Sequence, residues 1–263
     1  MNNYTQTIPP YVGITDFENG SQARNMVELV PYNHRRSIMV GIMMSYKTLR
    51  GIPTSKGWEK IWPKPGEIDD IFIDHPRALN TLHYADYDGK TSYDDLFAAV
   101  AFCGRNIKAI QLDMIWPSPS LVLELVGSPV SLPVILQIGQ NAFDRIANDP
   151  RQMIRRLAEY SMNGCSALSG VLLDRSMGKG KGMDAKSLRP FIEILFKERP
   201  DLRIAVAGGL GPTTLDLVRP LMDEFPDLSI DAQGQLRDDG DSTKPINWLR
   251  AHDYIRKSLE MFP

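Results

Sequence analysis

Short apolar runs alternate with longer amphipathic runs along almost the whole chain. The short runs are rich in Val, Ile and Leu, as are strands buried on both faces of a parallel sheet. The longer runs repeat apolar residues at helical spacing. The pattern predicts strands at residues 11–15, 37–45, 78–84, 108–113, 132–138, 170–173, 203–207 and 228–232, and helices at residues 21–29, 92–103, 118–126, 149–163, 185–197, 213–225 and 245–261.

Alternation of strands and helices predicts a parallel sheet. Eight such units within 263 residues predict a closed (β/α)8 TIM barrel, an α/β fold made by one domain over residues 1–263. An open doubly wound sheet is the alternative. That fold usually has a glycine-rich turn after its first strand, whereas Gly13 lies inside the first predicted strand and no GxGxxG sequence opens a helix.

One irregular segment interrupts the alternation after the second strand, at residues 46–77. It contains four prolines and the tryptophans Trp58 and Trp62, and it is too long for a simple connection. We interpret it as an inserted Pro-rich loop. It serves either as a lid over the functional site or as a packed surface excursion anchored by the tryptophans.

Composition narrows the class of protein. The chain has 30 basic and 32 acidic residues, so it lacks the basic excess typical of nucleic-acid binders. No apolar run reaches the ~18 residues of a membrane span, and the polar start is unlike a secretory signal. Only Cys103 and Cys165 are present, which argues against a disulfide framework or a zinc site. We therefore expect a cytoplasmic protein.

Glycine-rich turns follow the last three predicted strands. The sixth strand ends on Asp174 and is followed by a loop in which three glycines alternate with Lys179 and Lys181. Glycine lets backbone N–H groups approach an anion closely, and lysine adds positive charge. Barrel enzymes commonly bind phosphate at the loops after strands seven and eight. The turns predict a phosphorylated small-molecule ligand held by Gly180, Lys181, Gly208, Gly209, Gln233 and Gly234.

Polar side chains also follow the predicted strands, where a barrel places its catalytic groups. Several could perform acid–base chemistry, although a strand-end Asp often serves only as the cap of the next helix. No HxH or HxxxH spacing supports a metal site, and an oxygen-ligand site from Asp16, Asp86 and Asp113 is the weaker reading. The strand-end set is Thr15, Asp16, Ser45, His83, Asp86, Asp113, Gln137, Gln140, Asp174 and Arg175.

Several motifs together resemble the phosphoribosylanthranilate isomerase family. They are VGIT at residues 12–15, IQLD at 110–113, LLD at 172–174 with the GKGKGMD loop, and AVAGGL at 205–210. The resemblance implies a (β/α)8 barrel that isomerises a phosphorylated aminoaldose to an aminoketose without a cofactor. It also implies a cysteine on strand one as general base, an aspartate after strand six as general acid, and phosphate bound after strands six to eight.

Carried over to this chain, the resemblance makes Asp174 the general acid. Val12 stands at the position of the catalytic cysteine, and valine cannot accept a proton. Cys103 and Cys165 are predicted near the opposite end of the barrel. We therefore expect Asp113 or Asp16 to act as base, with His83 as a third candidate. In the phosphate loops, Gly178, Gly180, Lys181, Gly208 and Gly209 match the family, whereas its Ser-Ser-Gly after strand eight is Ala232-Gln233-Gly234 here.

The sequence thus favours an isomerase-like enzyme acting on a phosphorylated sugar-type molecule, either monomeric or as a homo-oligomer. Lyase or aldolase chemistry on the same barrel is an alternative, although no predicted strand ends on the lysine that a Schiff-base aldolase needs. A non-catalytic barrel that binds phosphorylated ligands is a second alternative, supported by Val12.

Overall fold

The computed structural model describes residues 7–54, 57–176 and 182–262. Eight parallel strands close into a barrel in the order β1, β2, β3, β4, β5, β8, β9, β10, as the alternation predicts. The strands are β1 (Tyr11–Thr15), β2 (Ser37–Ser45), β3 (Ala78–Asp86), β4 (Ala109–Met114), β5 (Val134–Gly139), β6 (Ser161–Met162), β7 (Cys165–Ser166), β8 (Gly170–Asp174), β9 (Arg203–Ala207) and β10 (Ser229–Ala232).

Helices surround the barrel, and many begin at a side-chain cap. Asn19, Ser92 and Asp184 each accept a hydrogen bond from a backbone N–H in the first turn of the following helix. The α-helices are α1 (Gly20–Val27), α2 (Tyr46–Leu49), α3 (Ile68–Ile71), α4 (Tyr93–Ala101), α5 (Pro119–Gly127), α6 (Gln140–Arg145), α7 (Pro150–Ala158), α8 (Ala185–Glu198), α9 (Arg219–Met222) and α10 (Trp248–Met261).

Two predicted helices are wrong in extent. The helix predicted at 213–225 is a 3-10 turn, Leu215–Leu217, followed by the four-residue α9. Pro220 lacks the N–H that a continuous helix would need there. The helix predicted at 149–163 ends at Ala158, and a hairpin of β6 and β7 follows. Asn163 and Gly164, both with positive φ, form its two-residue turn.

Side chains on each barrel strand alternate between the interior and the surrounding helices. One apolar cluster fills the interior and includes Tyr11, Ile135 and Leu172, while a larger one lies between strands and helices and includes Val12. Full burial of one such side chain contributes about 1.5–3 kcal/mol. Along β4, the inward positions change from Ala109 to polar residues toward the carboxyl end of the strand. The interior is therefore apolar at one end and polar at the other.

Residues 46–77 contain α2, α3 and two 3-10 turns, Trp58–Lys60 and Pro65–Glu67. The rings of Trp58 and Trp62 are stacked with centroids 5.2 Å apart. Trp62 packs with Met43 and Ala85 on the polar end of the barrel. No helix within the described residues is long and apolar enough to span a membrane.

Candidate active site

A cavity of about 220 Å³ opens at the carboxyl ends of the barrel strands. Parallel strands bring their carboxyl ends to one face, so residues far apart in sequence meet there. Three aspartates, one histidine and the glycine turns after β9 and β10 contribute to its wall, and Trp58 and Trp62 line it from residues 46–77. The wall residues with acid–base chemistry are His83, Asp113, Asp174 and Asp231.

Asp231 is the acidic residue that sequence reasoning missed. It lies on β10 with its side chain almost fully buried, and its Oδ1 has no hydrogen-bond partner within the described residues. The Oδ2 lies 3.4 Å from the Thr15 hydroxyl, which donates to it. Burial raises the pKa of Asp231 to about 6, against a weaker opposing effect of the nearby His83. An acid in the middle of the predicted strand at residues 228–232 was the available signal.

The Asp231 side chain fits inside the barrel because β1 carries a glycine opposite it. Gly13 pairs with Asp231 across the β1–β10 ladder, and a Cβ on Gly13 would lie 2.5 Å from the Asp231 Oδ1. Gly13 therefore faces the interior, and alternation turns Val12 outward into the layer beneath the helices. Position 12 contributes no group to the cavity.

His83 and Asp113 form a second acid–base group on β3 and β4. The His83 Nε2 lies 3.5 Å from the Asp113 Oδ2, which also accepts a hydrogen bond from the Tyr87 hydroxyl. Burial lowers the pKa of His83, but Asp113, Asp231 and Asp16 together outweigh it, so the pKa is raised overall.

Two amides continue this network on β4 and β5. The Gln111 Nε2 lies 3.3 Å from the His83 Nδ1 and donates to the Gln137 Oε1 at 2.8 Å. All three side chains are buried. The network fixes the plane of the imidazole relative to the cavity.

Asp174 ends β8 at the cavity wall. Its Oδ1 accepts hydrogen bonds from the Ser176 N–H at 2.9 Å and the Ser176 hydroxyl at 2.7 Å. A Cβ on Gly208 would lie 3.6 Å from the same oxygen. The carboxylate therefore lies between the β8 loop and the glycine turn after β9, and it does not cap the next helix, which Asp184 caps.

The glycine turns after β9 and β10 line the same cavity. Gly208 and Gly209 have φ values of 127° and 62°, a region that favours glycine. Gln233 and Gly234 follow β10 on the neighbouring wall. Within the described residues, neither the Gly209 nor the Gly234 N–H has a hydrogen-bond acceptor. Gly178, Gly180 and Lys181 lie outside the described residues.

Asp16, a predicted base, does not line the cavity. It is buried, and its Oδ2 accepts hydrogen bonds from Arg237 and, at 2.7 Å, from the Gln233 Nε2. Burial raises the pKa of Asp16 despite the opposing effects of Arg237 and Gln233. The pair ties the end of β1 to the loop after β10, so Asp16 positions the loop that carries Gln233 and Gly234.

Other strand-end residues serve local structure. Asp86 accepts hydrogen bonds from the N–H groups of Asp88, Lys90 and Thr91, which shape the loop after β3. Because Asp16 pairs with Arg237 and Asp113 with Tyr87, the three carboxylates do not form the oxygen-ligand site considered from sequence. Ser45 caps α2, Gln140 donates to Asp144, and Arg175 donates to Asn148.

Comparison with solved structures shows what this fold is similar to. Phosphoribosyl anthranilate isomerase from Thermus thermophilus superposes with a TM-score of 0.59 at 18% identity, covering 95% of this chain and 99% of that one. TrpF from Jonesia denitrificans superposes with a TM-score of 0.57 at 15% identity, covering 95% of this chain and 98% of that one. N-(5'-phosphoribosyl)anthranilate isomerase from Pyrococcus furiosus superposes with a TM-score of 0.59 at 12% identity, covering 95% of this chain and 99% of that one.

These likenesses extend over nearly the full length of each chain. The chain therefore has the fold of the phosphoribosylanthranilate isomerase barrels. No sequence-family model matches it, and no curated protein matches it.

Proposed function

We propose that the protein is a cofactor-independent isomerase that converts a phosphorylated aminoaldose into the corresponding aminoketose. The observation that carries the proposal is that Asp174 and Asp231 line one cavity beside the turn of Gly208 and Gly209. The fold shared with phosphoribosylanthranilate isomerases and the LLD and AVAGGL motifs support the same reaction.

The chemistry requires one acid and one base. An acid protonates the ring oxygen of the aminoaldose, and the sugar opens to an iminium ion. A base then removes the proton from C2, giving an enolamine. This enolamine gains a proton at C1 and loses the proton of its C2 hydroxyl, which gives the aminoketose. Protons are exchanged with the enzyme but none is consumed, so no redox partner is needed.

We assign Asp174 as the acid and Asp231 as the base. A base works best when its pKa lies near the operating pH, and burial brings the pKa of Asp231 to about 6. Asp231 lines the cavity, and its Oδ1 has no hydrogen-bond partner within the described residues, so no donor there opposes its protonation. Asp231 thus supplies, from the last strand, the function that the resemblance places on strand one.

The residues expected from sequence to act as the base contact other side chains. The Asp113 Oδ2 accepts a hydrogen bond from Tyr87 and faces His83, so in this proposal Asp113 favours the charged form of His83. The positive charge of His83 in turn favours the carboxylate form of Asp231. Asp16 is held by Arg237 and keeps the β10 loop in place.

The substrate phosphate would bind at the opposite wall. The N–H groups of Gly208, Gly209 and Gly234 can donate to it, because glycine permits close approach. Gly180 and Lys181 belong to the same proposal through the family motif, and Gln233 stands beside Gly234 on the turn after β10.

The direct test is turnover of N-(5'-phosphoribosyl)anthranilate, the compound named for the Pyrococcus furiosus structure. We expect the purified protein to isomerise it, and Asp174→Asn and Asp231→Asn to lose most of this activity. Asp94→Asn, an exposed carboxylate on α4, is the matched control. Binding of the compound without turnover by the unchanged protein would instead favour a non-catalytic barrel, and cleavage products would favour a lyase.

A further inference from the structure

A second cavity lies apart from the candidate active site. It has a volume of about 520 Å³ and is formed by the loop after β4, the end of α6 and one face of α7. Ligand pockets typically measure ~300–1,000 Å³. We call it the arginine cavity and define it by Trp116, Arg145, Ile146, Ala147, Arg155 and Arg156. It shares no lining residue with the catalytic cavity.

The arginine cavity is positively charged although the chain as a whole carries a net charge of −2. Three arginines line it against a single carboxylate, Glu159, and Glu159 is already paired with Arg156 at 2.5 Å. Within the described residues, Arg145 and Arg155 form no ion pair. Arg151 lies one turn before Arg155 on α7, and like charges at this spacing destabilise a helix. The positive charge is thus uncompensated by the protein itself.

The floor of the cavity is apolar and held in place. The Trp116 Nε1 donates to the Ala142 carbonyl at 2.9 Å, and the Tyr160 hydroxyl donates to the Pro117 carbonyl at 2.7 Å. These bonds tie the loop after β4 to α6 and to the end of α7. Ile146 and Ala147 complete the floor, and the Arg156 guanidinium lies 5.9 Å from the Trp116 ring centroid. A ligand would therefore meet a preformed surface.

Two floor residues have unusual backbone conformations. Trp116 and Ala147 have φ values of 53° and 51°, in the left-handed region that such side chains rarely adopt. Strained residues persist where the surrounding structure enforces them and are concentrated at ligand sites. Their position on the floor agrees with a binding role.

We propose that the arginine cavity binds an organic phosphate whose ring lies on the floor while its phosphate contacts Arg145 and Arg155. Arginine donates paired hydrogen bonds to phosphate, and a flat ring stacks favourably on indole or guanidinium. A nucleoside monophosphate has both parts. The site is independent of the proposed isomerase activity.

Adenosine 5'-monophosphate is the probe, titrated calorimetrically into the full chain beside adenosine and inorganic phosphate. We expect one site and affinity roughly tenfold or more above either fragment. Arg145→Gln with Arg155→Gln should lower the affinity by about tenfold or more, because charge-assisted hydrogen bonds are lost. Arg24→Gln with Arg105→Gln, an equal charge change at exposed positions, should leave it nearly unchanged.

Amide chemical shifts provide a measurement that needs no variant. Binding should move the signals of Ala147 and Gln152 and leave that of Gly209 in the catalytic cavity in place. The proposal is wrong if the probe does not bind, if inorganic phosphate binds equally well, if both double variants lose affinity alike, or if Gly209 responds in place of Ala147.

Discussion

The Oδ1 of Asp231 occupies the space that a side chain on Gly13 would fill, 2.5 Å from the ideal Cβ position. The two residues are partners in the ladder that closes the barrel between its first and last strands. A buried carboxylate can face the cavity from β10 only because β1 has no side chain there. The missing side chain on β1 and the buried carboxylate on β10 are two parts of one arrangement.

Gly13→Ala tests that arrangement. We expect a loss of about 1–3 kcal/mol in the free energy of unfolding, as for overpacking in a close-packed interior, and a displaced Asp231 with lower activity. Urea denaturation and turnover measure the two effects. Gly127→Ala is the control, because a Cβ there has no neighbour within 4 Å and Gly127 ends α5. Equal stability of Gly13→Ala and the unchanged protein would contradict the geometry.

Asp231→Asn should stabilise the protein at high pH. A carboxyl whose pKa is raised on folding binds more protons when folded, so the free energy of unfolding falls as the pH rises from about 4 to above 6. Asparagine does not titrate, so this decrease in the free energy of unfolding is absent in Asp231→Asn. At pH 8 we expect a gain on the order of 3 kcal/mol, shrinking toward zero near pH 4.

Urea denaturation of both proteins at several pH values measures this difference. Effects of the other titrating groups are common to both proteins and largely cancel. A gain that is the same at pH 4 and pH 8 would mean that the pKa of Asp231 is not raised. Loss of activity together with higher stability would support a carboxylate that is buried at a cost in stability and needed for turnover.

Asp174→Asn should lower turnover by about 10²–10⁴-fold, the usual contribution of a general acid. Affinity for the substrate should change little, since asparagine keeps the size of the side chain. Steady-state kinetics and a binding titration separate the two quantities. A large rise in KM with unchanged kcat would assign Asp174 to binding and not to proton transfer.

Arg237→Met should destabilise the protein by about 3–5 kcal/mol, because it leaves the buried carboxylate of Asp16 without its charged partner. Adding Asp16→Asn should recover part of this loss, since asparagine is uncharged and tolerates the φ of 86° at this position. Urea denaturation of both variants provides the measurement. No recovery in the double variant would show that the charge of Asp16 is not the cause.

The local sequence pattern was enough to predict the architecture. Apolar runs such as residues 37–45 predict buried parallel strands, and their number and alternation with helices predict the barrel. Two predicted helices are wrong in extent because a local feature ends each of them: Pro220 cannot continue a helix from the preceding turn, and Asn163 with Gly164 makes a hairpin turn. Strand-end positions also placed Asp113, Asp174, His83 and the glycine turns on one face.

Which of these residues share a cavity was decided only by the closed barrel. Asp16 and Asp231 are both strand-associated acids in sequence, yet Asp16 pairs with Arg237 and does not line the cavity, whereas Asp231 does. Residues 13 and 231 are brought together by the ladder between the first and last strands, and only that contact shows why one must be glycine. Periodicity reports which side chains are buried, whereas the pKa of a carboxyl depends on neighbours that the closed fold supplies.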